Sequence, residues 1–338
     1  MRKSIWLTLI ILPLCLSGQE ARLPTYDALK TYIAQLYEGK NYQEAADVLE
    51  RVIDQYPDHV EENTYNLTAM CIHLEDYERA FDALKYAHDR GVWFGLNAFS
   101  SEFFRPLRKH DRYPVFMKRN DKFFRRAQQA ARSDVIVELP ANHSTRQSYP
   151  LFIALHGGGE TAAAFRDVWR SITLNNSFII AYVQSSQVVS MRGYTWKNLD
   201  KTREDILTAY NKVMQIYNVS PGRVFIGGFS SGGYGALAML AEQTFPIQGF
   251  VTLNPIRPDI LHSAAIKTLA ELGVRGVTLT TQTDPHFDEH RKMAQEFDSQ
   301  GLFHRLLIAP DAGPWLPLDF QETLDKALSF VLGYPVRF

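Results

Sequence analysis

The sequence predicts an α/β protein whose mainly parallel sheet carries helices on both faces, preceded by an all-helical repeat domain. Three observations predict this. The text from Tyr26 to about Arg132 is helical and repeats itself, the text after Ser133 alternates short β-branched runs with amphipathic helices, and one strand-like run leads directly into a serine between glycines. With 338 residues, 46% of them hydrophobic, the chain can bury the cores of about two domains.

The first residues, MRKSIWLTLIILPLCLSGQ, have the layout of a secretory signal peptide. A positively charged start precedes an apolar run over residues 5–16, which is too short to span a bilayer comfortably, and small residues follow it. We therefore predict a signal peptide over residues 1–18, a secreted or periplasmic mature protein and no stable membrane span. A lipid anchor at Cys15 is an alternative, although Leu14 stands where the bacterial lipoprotein pattern has a small residue.

Charge and cysteine content exclude several classes of partner. The formal net charge of -1 gives no general reason to expect nucleic acid or an anionic membrane surface. Basic and aromatic residues alternate over residues 103–126, but a solvated helix face explains them better than a nucleic-acid site. Only Cys15 and Cys71 are present, and no Cys/His cluster has zinc-site spacing. We predict no cofactor and no metal.

The helical part contains two copies of one pattern. NYQEAADVLERV, residues 41–52, aligns with DYERAFDALKYA, residues 76–87, so that Ala45 matches Ala80 at an offset of 35 positions. Such a period indicates an array of helical hairpins, in which the alanines allow helices to approach closely. The pattern resembles tetratricopeptide repeats. The resemblance implies a helical domain over residues 24–132 with a peptide or protein as its partner.

The second part, residues 133–338, reads as strands alternating with helices. The predicted strands are Val135–Glu138, Leu151–Leu155, Ile179–Val183, Val224–Gly227, Gly249–Leu253, Val277–Thr281 and Leu302–Ile308. The predicted long helices are Leu199–Tyr217, Gly232–Gln243, Asp288–Ser299 and Phe320–Leu332. In such a sheet the functional groups gather at the carboxyl ends of the strands.

A nucleophile is predicted at Ser230. Gly228-Phe229-Ser230-Ser231-Gly232 is a G-x-S-x-G sequence that directly follows the strand-like VFIGG and directly precedes the helix-like YGALAML. Flanking glycines allow the sharp bend that presents the serine hydroxyl above the sheet, and the Ser231 amide at the helix start then points toward charge that develops on a substrate oxygen.

The loop after an earlier strand, LFIALHGGGE, is predicted to supply the remaining oxyanion donors. Its glycines follow His156, and a bare backbone can approach a ligand and donate amides. We therefore predict an oxyanion hole formed by Gly157, Gly158 and Ser231. His156 itself is expected to pack beneath the loop as a support, the alternative being that it is the catalytic base.

With both motifs present, the second part resembles the α/β-hydrolase superfamily, in particular its bacterial esterase, dienelactone-hydrolase-like and phospholipase/carboxylesterase branch. The resemblance implies a nucleophile, an acid and a base in that order. Asp284, after the predicted strand Val277–Thr281, then stands in the place of the acid, unless it only caps the following helix.

The resemblance also implies a histidine in the loop after the last strand, and here the loop reads PDAGPWLPLDF. Pro314 stands where that imidazole belongs, and proline has neither a titratable group nor an amide proton. His304 is expected at the wrong end of the last strand. His286, two residues after Asp284, is the candidate replacement base, and His290 is a weaker one.

Two functions follow from these residues. The first is a secreted serine esterase that uses Ser230, Asp284 and His286 on a small-molecule ester. The second is a catalytically inactive hydrolase fold that binds a ligand in a cleft lined by Tyr194, Trp196 and Trp315, while its repeat domain binds a peptide or protein.

Overall fold

The computed structural model describes residues 25–309 and 319–337. The predicted signal peptide and the loop residues Asp311, Gly313, Pro314, Trp315 and Pro317 lie outside the described residues. Within the described ranges, none of the helices combines the length and the apolar character that a membrane crossing requires.

The chain folds into two compact units. The first comprises the described residues up to Val92 together with Ser100–Phe116, and the second comprises Trp93–Phe99 and the residues from Met117 onward.

The first unit is helical. Its helices are α1 (Tyr26–Glu38), α2 (Tyr42–Val52), α3 (Val60–His73), α4 (Tyr77–Asp89) and α5 (Arg105–Lys109), and α6 (Tyr113–Ala130) begins in it. The side chain of Thr25 caps α1, and that of Asp76 caps α4 by accepting the Arg79 N–H at 3.1 Å. The repeated alanines, Ala45 and Ala80, have no exposed surface, as the close approach of paired helices requires. The tetratricopeptide identity of these helices stays a prediction.

The second unit is built on a seven-stranded sheet. Its strands run in the order β1-β3-β2-β6-β7-β8-β9, and only β1 is antiparallel to its neighbour. The strands are β1 (Asp134–Glu138), β2 (Tyr149–Leu155), β3 (Ile179–Gln184), β6 (Val219–Phe229), β7 (Gly249–Leu253), β8 (Arg275–Thr281) and β9 (Phe303–Ala309). A separate two-stranded ribbon consists of β4 (Gln187–Ser190) and β5 (Gly193–Thr195).

Seven helices follow α6 along the described chain. They are α7 (Ala162–Val168), α8 (Ile172–Ser177), α9 (Leu199–Ile216), α10 (Ser231–Glu242), α11 (Ser263–Glu271), α12 (Phe287–Ser299) and α13 (Phe320–Val331). The seven predicted strands and four predicted helices all occur at these places, and the predicted fold class is confirmed. The short elements α7, α8, α11, β4 and β5 were not predicted, because few residues in each repeat an apolar period.

Two apolar cores lie on the opposite faces of the sheet, and β2 shows why. Leu151 and Ile153 belong to one core, whereas Phe152 and Ala154 belong to the other, because successive side chains of a strand point to opposite faces. Helices α9 and α10 pack on the first face and α13 on the second. Parallel strands covered on both faces place their carboxyl ends at one edge, where His156, Ser230 and Asn254 directly follow β2, β6 and β7.

The packing between β7 and β8 gives a test of this core. A Cβ atom added to Gly276 meets Cζ of Phe250 at 2.1 Å, and Phe250 is fully buried. We expect Gly276→Ala to lower the free energy of unfolding by about 1–3 kcal/mol through overpacking, as measured by urea unfolding.

The matched control is the double variant Gly276→Ala/Phe250→Leu. Leucine is smaller at the point of contact, so the double variant should lose less stability than the sum of the two single losses. Additive losses would show that the Phe250 ring does not meet this position.

Candidate active site

Ser230 adopts a backbone conformation that non-glycine residues rarely take. It lies between β6 and α10 with φ 52° and ψ -112°, and conformations of this kind cost about 1–3 kcal/mol. Backbone hydrogen bonds on both sides hold it there: the Ser230 N–H donates to the Leu253 carbonyl at 2.9 Å, and the Ile256 N–H donates to the Ser230 carbonyl at 3.3 Å. The bend predicted from the G-x-S-x-G sequence is therefore present.

The two glycines of the motif allow three backbone segments to meet. A Cβ on Gly228 would lie 2.5 Å from the Leu155 carbonyl oxygen, and a Cβ on Gly232 would lie 2.2 Å from the same oxygen. Distances this short are not found for real Cβ atoms, and the neighbour is backbone in both cases. Any side chain at either position would therefore separate the end of β2 from the start of α10 and move Ser230.

Two of the predicted oxyanion donors lie together with open amides. The position of a Cβ on Gly158 is 3.3 Å from Oγ of Ser231, so these two residues are neighbours. Neither amide has a hydrogen-bond acceptor among the described residues. Ser231 is the first residue of α10, where backbone N–H groups have no intrahelical partner and the helix end is electropositive.

Gly157, the third predicted donor, is already engaged. Its N–H donates to Oε2 of Glu160 at 2.8 Å, while the next amide but one, that of Gly159, donates to the Tyr194 carbonyl at 2.8 Å. Of the two predicted donors in this loop, the Gly158 amide therefore has no acceptor among the described residues, whereas the Gly157 amide is already hydrogen-bonded.

Glu160 is a site residue that the sequence patterns do not single out. Its carboxylate is partly buried, and this burial raises its pKa, against the opposing effect of the Gly157 N–H. No lysine, arginine or histidine of the described residues forms an ion pair with it. The Glu that follows HGGG could have been noticed only as the sole charged residue of that loop.

The His156 ring supports the loop from beneath. It has no exposed surface, its Nδ1–H donates to the Gly157 carbonyl at 2.8 Å, and its Nε2 accepts the Ser185 N–H at 3.3 Å. These partners fix a neutral imidazole, and burial lowers its pKa to about 4. Trp196 donates its Nε1–H to the His156 carbonyl at 2.9 Å. Trp196 is fully buried, so the prediction that it lines a cleft is wrong.

The carboxylate of Asp205 is buried and stabilises the turn that follows β3. Oδ2 of Asp205 accepts the Ser186 N–H at 2.7 Å, and Oγ of Ser185 donates to the Thr195 carbonyl at 2.6 Å. Burial raises the pKa of Asp205. The predicted oxyanion loop, residues 156–160, thus rests on a polar network that ties β3, β5 and α9 together.

Asp284 and His286 lie close together after β8, but the hydrogen bond between them comes from the backbone amide of His286 and not from its ring. Oδ1 of Asp284 accepts the His286 N–H at 2.7 Å in the turn that precedes α12. The His286 ring is exposed, with Nδ1 3.4 Å from Oε2 of Glu289. None of the described imidazoles forms a hydrogen bond with Ser230 or with the Asp284 carboxylate.

Two further histidines, His290 and His304, are buried inside the fold. Nε2–H of His290 donates to the Pro255 carbonyl at 2.8 Å and its Nδ1 accepts from Thr280 at 2.8 Å, while burial lowers its pKa. His290 therefore supports the turn whose Ile256 N–H holds Ser230. His304 lies at the start of β9, at the opposite end from the site, and burial lowers its pKa to about 3.

Two buried polar side chains beside Ser230 have no hydrogen-bond partner among the described residues. They are the hydroxyl of Ser231 and the whole carboxamide of Asn254, which has 4% exposure and a positive φ of 43°. An unpaired buried polar group costs about 1–3 kcal/mol, and such groups concentrate at functional sites. Within residues 25–309 and 319–337, no group of three or more His, Cys, Asp or Glu could hold a metal ion.

Comparisons with known proteins give likeness of fold. Neither a family model nor a curated protein matches the chain. Among solved structures, an uncharacterized protein from Bacillus cereus is 22% identical over 91% of this chain and 98% of its own, with a TM-score of 0.50. A thermostable esterase is 15% identical over 59% of this chain and 58% of its own (TM-score 0.48), and an S-formylglutathione hydrolase from Staphylococcus aureus is 13% identical over 60% and 93% (TM-score 0.43). At these identities the similarity concerns the fold alone.

The neutral His156 makes stability depend on pH. Its pKa falls from the usual 6.5 to about 4 in the folded chain, so between these values the unfolded chain binds more protons. Lowering the pH from 6.5 to 4 should therefore remove about 3 kcal/mol of stability through this group alone.

His156→Gln tests this contribution, because glutamine can donate and accept one hydrogen bond each but does not titrate. Urea unfolding at pH 7 and pH 4 should show a smaller pH-dependent loss in the variant, by about 3 kcal/mol. An equal loss in both proteins would mean that His156 is not held neutral.

Proposed function

We propose that this chain is a serine hydrolase that cleaves carboxylic esters through Ser230 and that a signal peptide exports it to the periplasm or the cell exterior. The observation that supports it most is the backbone of Ser230, at φ 52° and ψ -112°, beside two amides that lack acceptors among the described residues. A strained residue persists only when its surroundings impose it, and nothing in the packing of a purely structural turn requires a serine there.

The chemistry is acyl transfer. Oγ of Ser230 attacks the ester carbonyl carbon, the carbonyl oxygen becomes an oxyanion, and the Gly158 and Ser231 amides donate hydrogen bonds to it. Collapse of this intermediate expels the alcohol and leaves an acyl-serine, which water then hydrolyses. Asp284 and His286 remain the proposed acid and base, although their only hydrogen bond to each other runs from the His286 amide.

The group that accepts the proton from Oγ of Ser230 is the least complete part of this catalytic site. By resemblance, Pro314 occupies the place of the usual imidazole, and the described imidazoles are not hydrogen-bonded to Ser230. In a triad enzyme of unrelated fold, loss of the histidine lowers turnover by about 10⁶, while oxyanion donors and binding retain roughly 10³ to 10⁴ over the uncatalysed rate. We therefore propose slow ester turnover with an intact acylation site.

A catalytically inactive binding protein is the second candidate. Pro314 favours it, and so does a cleft of about 480 Å³ within the helical unit, lined by residues that include Tyr26, Ile33, Met70 and Phe104. A tetratricopeptide-like unit with such a cleft suits a peptide or protein partner. In this alternative the second unit binds an ester-like ligand without transforming it.

Covalent labelling separates the two candidates. A fluorophosphonate probe should label the purified protein, and Ser230→Ala should abolish the labelling because it removes the nucleophilic oxygen that the bend presents. Intact-mass spectrometry measures the adduct. Equal labelling of the two proteins, or none of either, would favour the binding protein.

A second substitution restores the missing base. Pro314→His should raise kcat for a p-nitrophenyl ester at least about 100-fold, since a positioned general base contributes 10² to 10⁴. Pro314→Ala is the matched control, because it changes the loop without adding an imidazole and should leave kcat near the wild-type value. Equal rates for the histidine and alanine variants would show that residue 314 is not the base position.

A further inference from the structure

Glu160 carries a negative charge beside the nucleophile without a balancing cation among the described residues. A Cβ atom added to Gly157 would lie 3.0 Å from Oε2 of Glu160 and 2.7 Å from Cδ1 of the Phe229 ring, so both side chains lie against this glycine. Phe229 directly precedes Ser230, so the Glu160 carboxylate lies close to the backbone bend that carries the predicted nucleophile. The backbone of Glu160 is fixed there by a bridge to Tyr194, whose N–H donates to the Glu160 carbonyl at 3.1 Å.

Two other half-buried glutamates of this unit have cationic partners. Glu138 pairs with Arg166 and Arg170, and Glu242 pairs with Arg203. Glu160 has only the Gly157 N–H, an uncharged donor that leaves the second carboxylate oxygen without a donor among the described residues. A partly buried carboxylate without a cation is costly, and a cationic ligand would offset that cost.

The same charge acts on the reaction. With a neutral ester, the oxyanion at Gly158 and Ser231 would form close to a fixed negative charge and would be destabilised by it. A positive group on the substrate removes this repulsion and is itself attracted, both before the attack and in the transition state. The Phe229 ring lies against the same side of Gly157 as the carboxylate, and an aromatic neighbour of this kind favours a quaternary or primary ammonium group.

We propose that Glu160 is the cation-binding residue of this site and that the preferred substrates are esters carrying an ammonium or similar cationic group near the scissile carbonyl. This inference rests on the proposed function for its catalytic part, while cation binding itself does not require turnover. Glu160 also holds the oxyanion loop through Gly157, so the test must remove its charge and keep its hydrogen bond.

Two isosteric esters provide the probe. They are 4-nitrophenyl 4-(trimethylammonio)butanoate and its uncharged carbon analogue, 4-nitrophenyl 5,5-dimethylhexanoate, which differ in charge and hardly in shape. The second-order rate constant for acylation of Ser230, followed as the burst of 4-nitrophenolate, should favour the cationic ester by about tenfold, or about 1.4 kcal/mol. The preference should shrink as ionic strength rises.

Glu160→Gln keeps an acceptor for the Gly157 N–H and removes the charge. It should bring the ratio of the two rate constants to about one, because the neutral ester reacts faster once the repulsion of its oxyanion is removed, whereas the cationic ester loses its attraction to the carboxylate. Glu271→Gln, which removes an exposed charge on α11, should keep the wild-type ratio. A wild-type ratio near one, or a preference that survives in Glu160→Gln, would overturn the proposal.

A readout without chemistry separates this proposal from the proposed function. If neither ester acylates Ser230, the hydrolase proposal fails, and binding of tetramethylammonium measured by calorimetry decides the cation site alone. We expect binding by the wild-type protein that weakens about tenfold in Glu160→Gln. Equal affinity in the two proteins, or no binding by either, would contradict the cation site.

Discussion

The site depends on the contact of three backbone segments with no side chain between them. The Leu155 carbonyl at the end of β2 lies against Gly228 and Gly232, which flank the bend at Ser230. Because this contact fixes the oxyanion loop against the helix start, it sets the distance between Gly158 and Ser231 as well as the strained backbone of Ser230. The sheet, its two cores and the covering helices serve to hold these segments in register.

Two neutral imidazoles stabilise that arrangement from opposite sides. His156 bonds both ring nitrogens to backbone groups under the oxyanion loop, while His290 bonds a backbone carbonyl and the Thr280 hydroxyl under the turn that holds the Ser230 carbonyl. In each case burial lowers the pKa and removes the ring from proton transfer. The chain thus uses both histidines as supports, and none of the described imidazoles is hydrogen-bonded to Ser230.

Sequence patterns predicted much of this and missed what depends on long-range contacts. Seven strands and four helices followed from apolar periodicity, and the bend at Ser230 followed from two glycines between a strand and a helix. The engagement of the Gly157 amide could not be predicted, because it depends on how the Glu160 side chain folds back over the loop. The burial of Trp196 and the unpaired Asn254 likewise depend on packing between segments far apart in sequence.

A crystal structure of the protein after reaction with a phosphonate ester tests the central claim most directly. The tetrahedral phosphorus mimics the intermediate of ester cleavage, so its free oxygen marks the oxyanion position. We expect phosphorus bonded to Oγ of Ser230 and the free oxygen at about 2.7–3.1 Å from the Gly158 and Ser231 nitrogens. An adduct whose oxygen points away from both amides, or a protein that forms no adduct at Ser230, would contradict it.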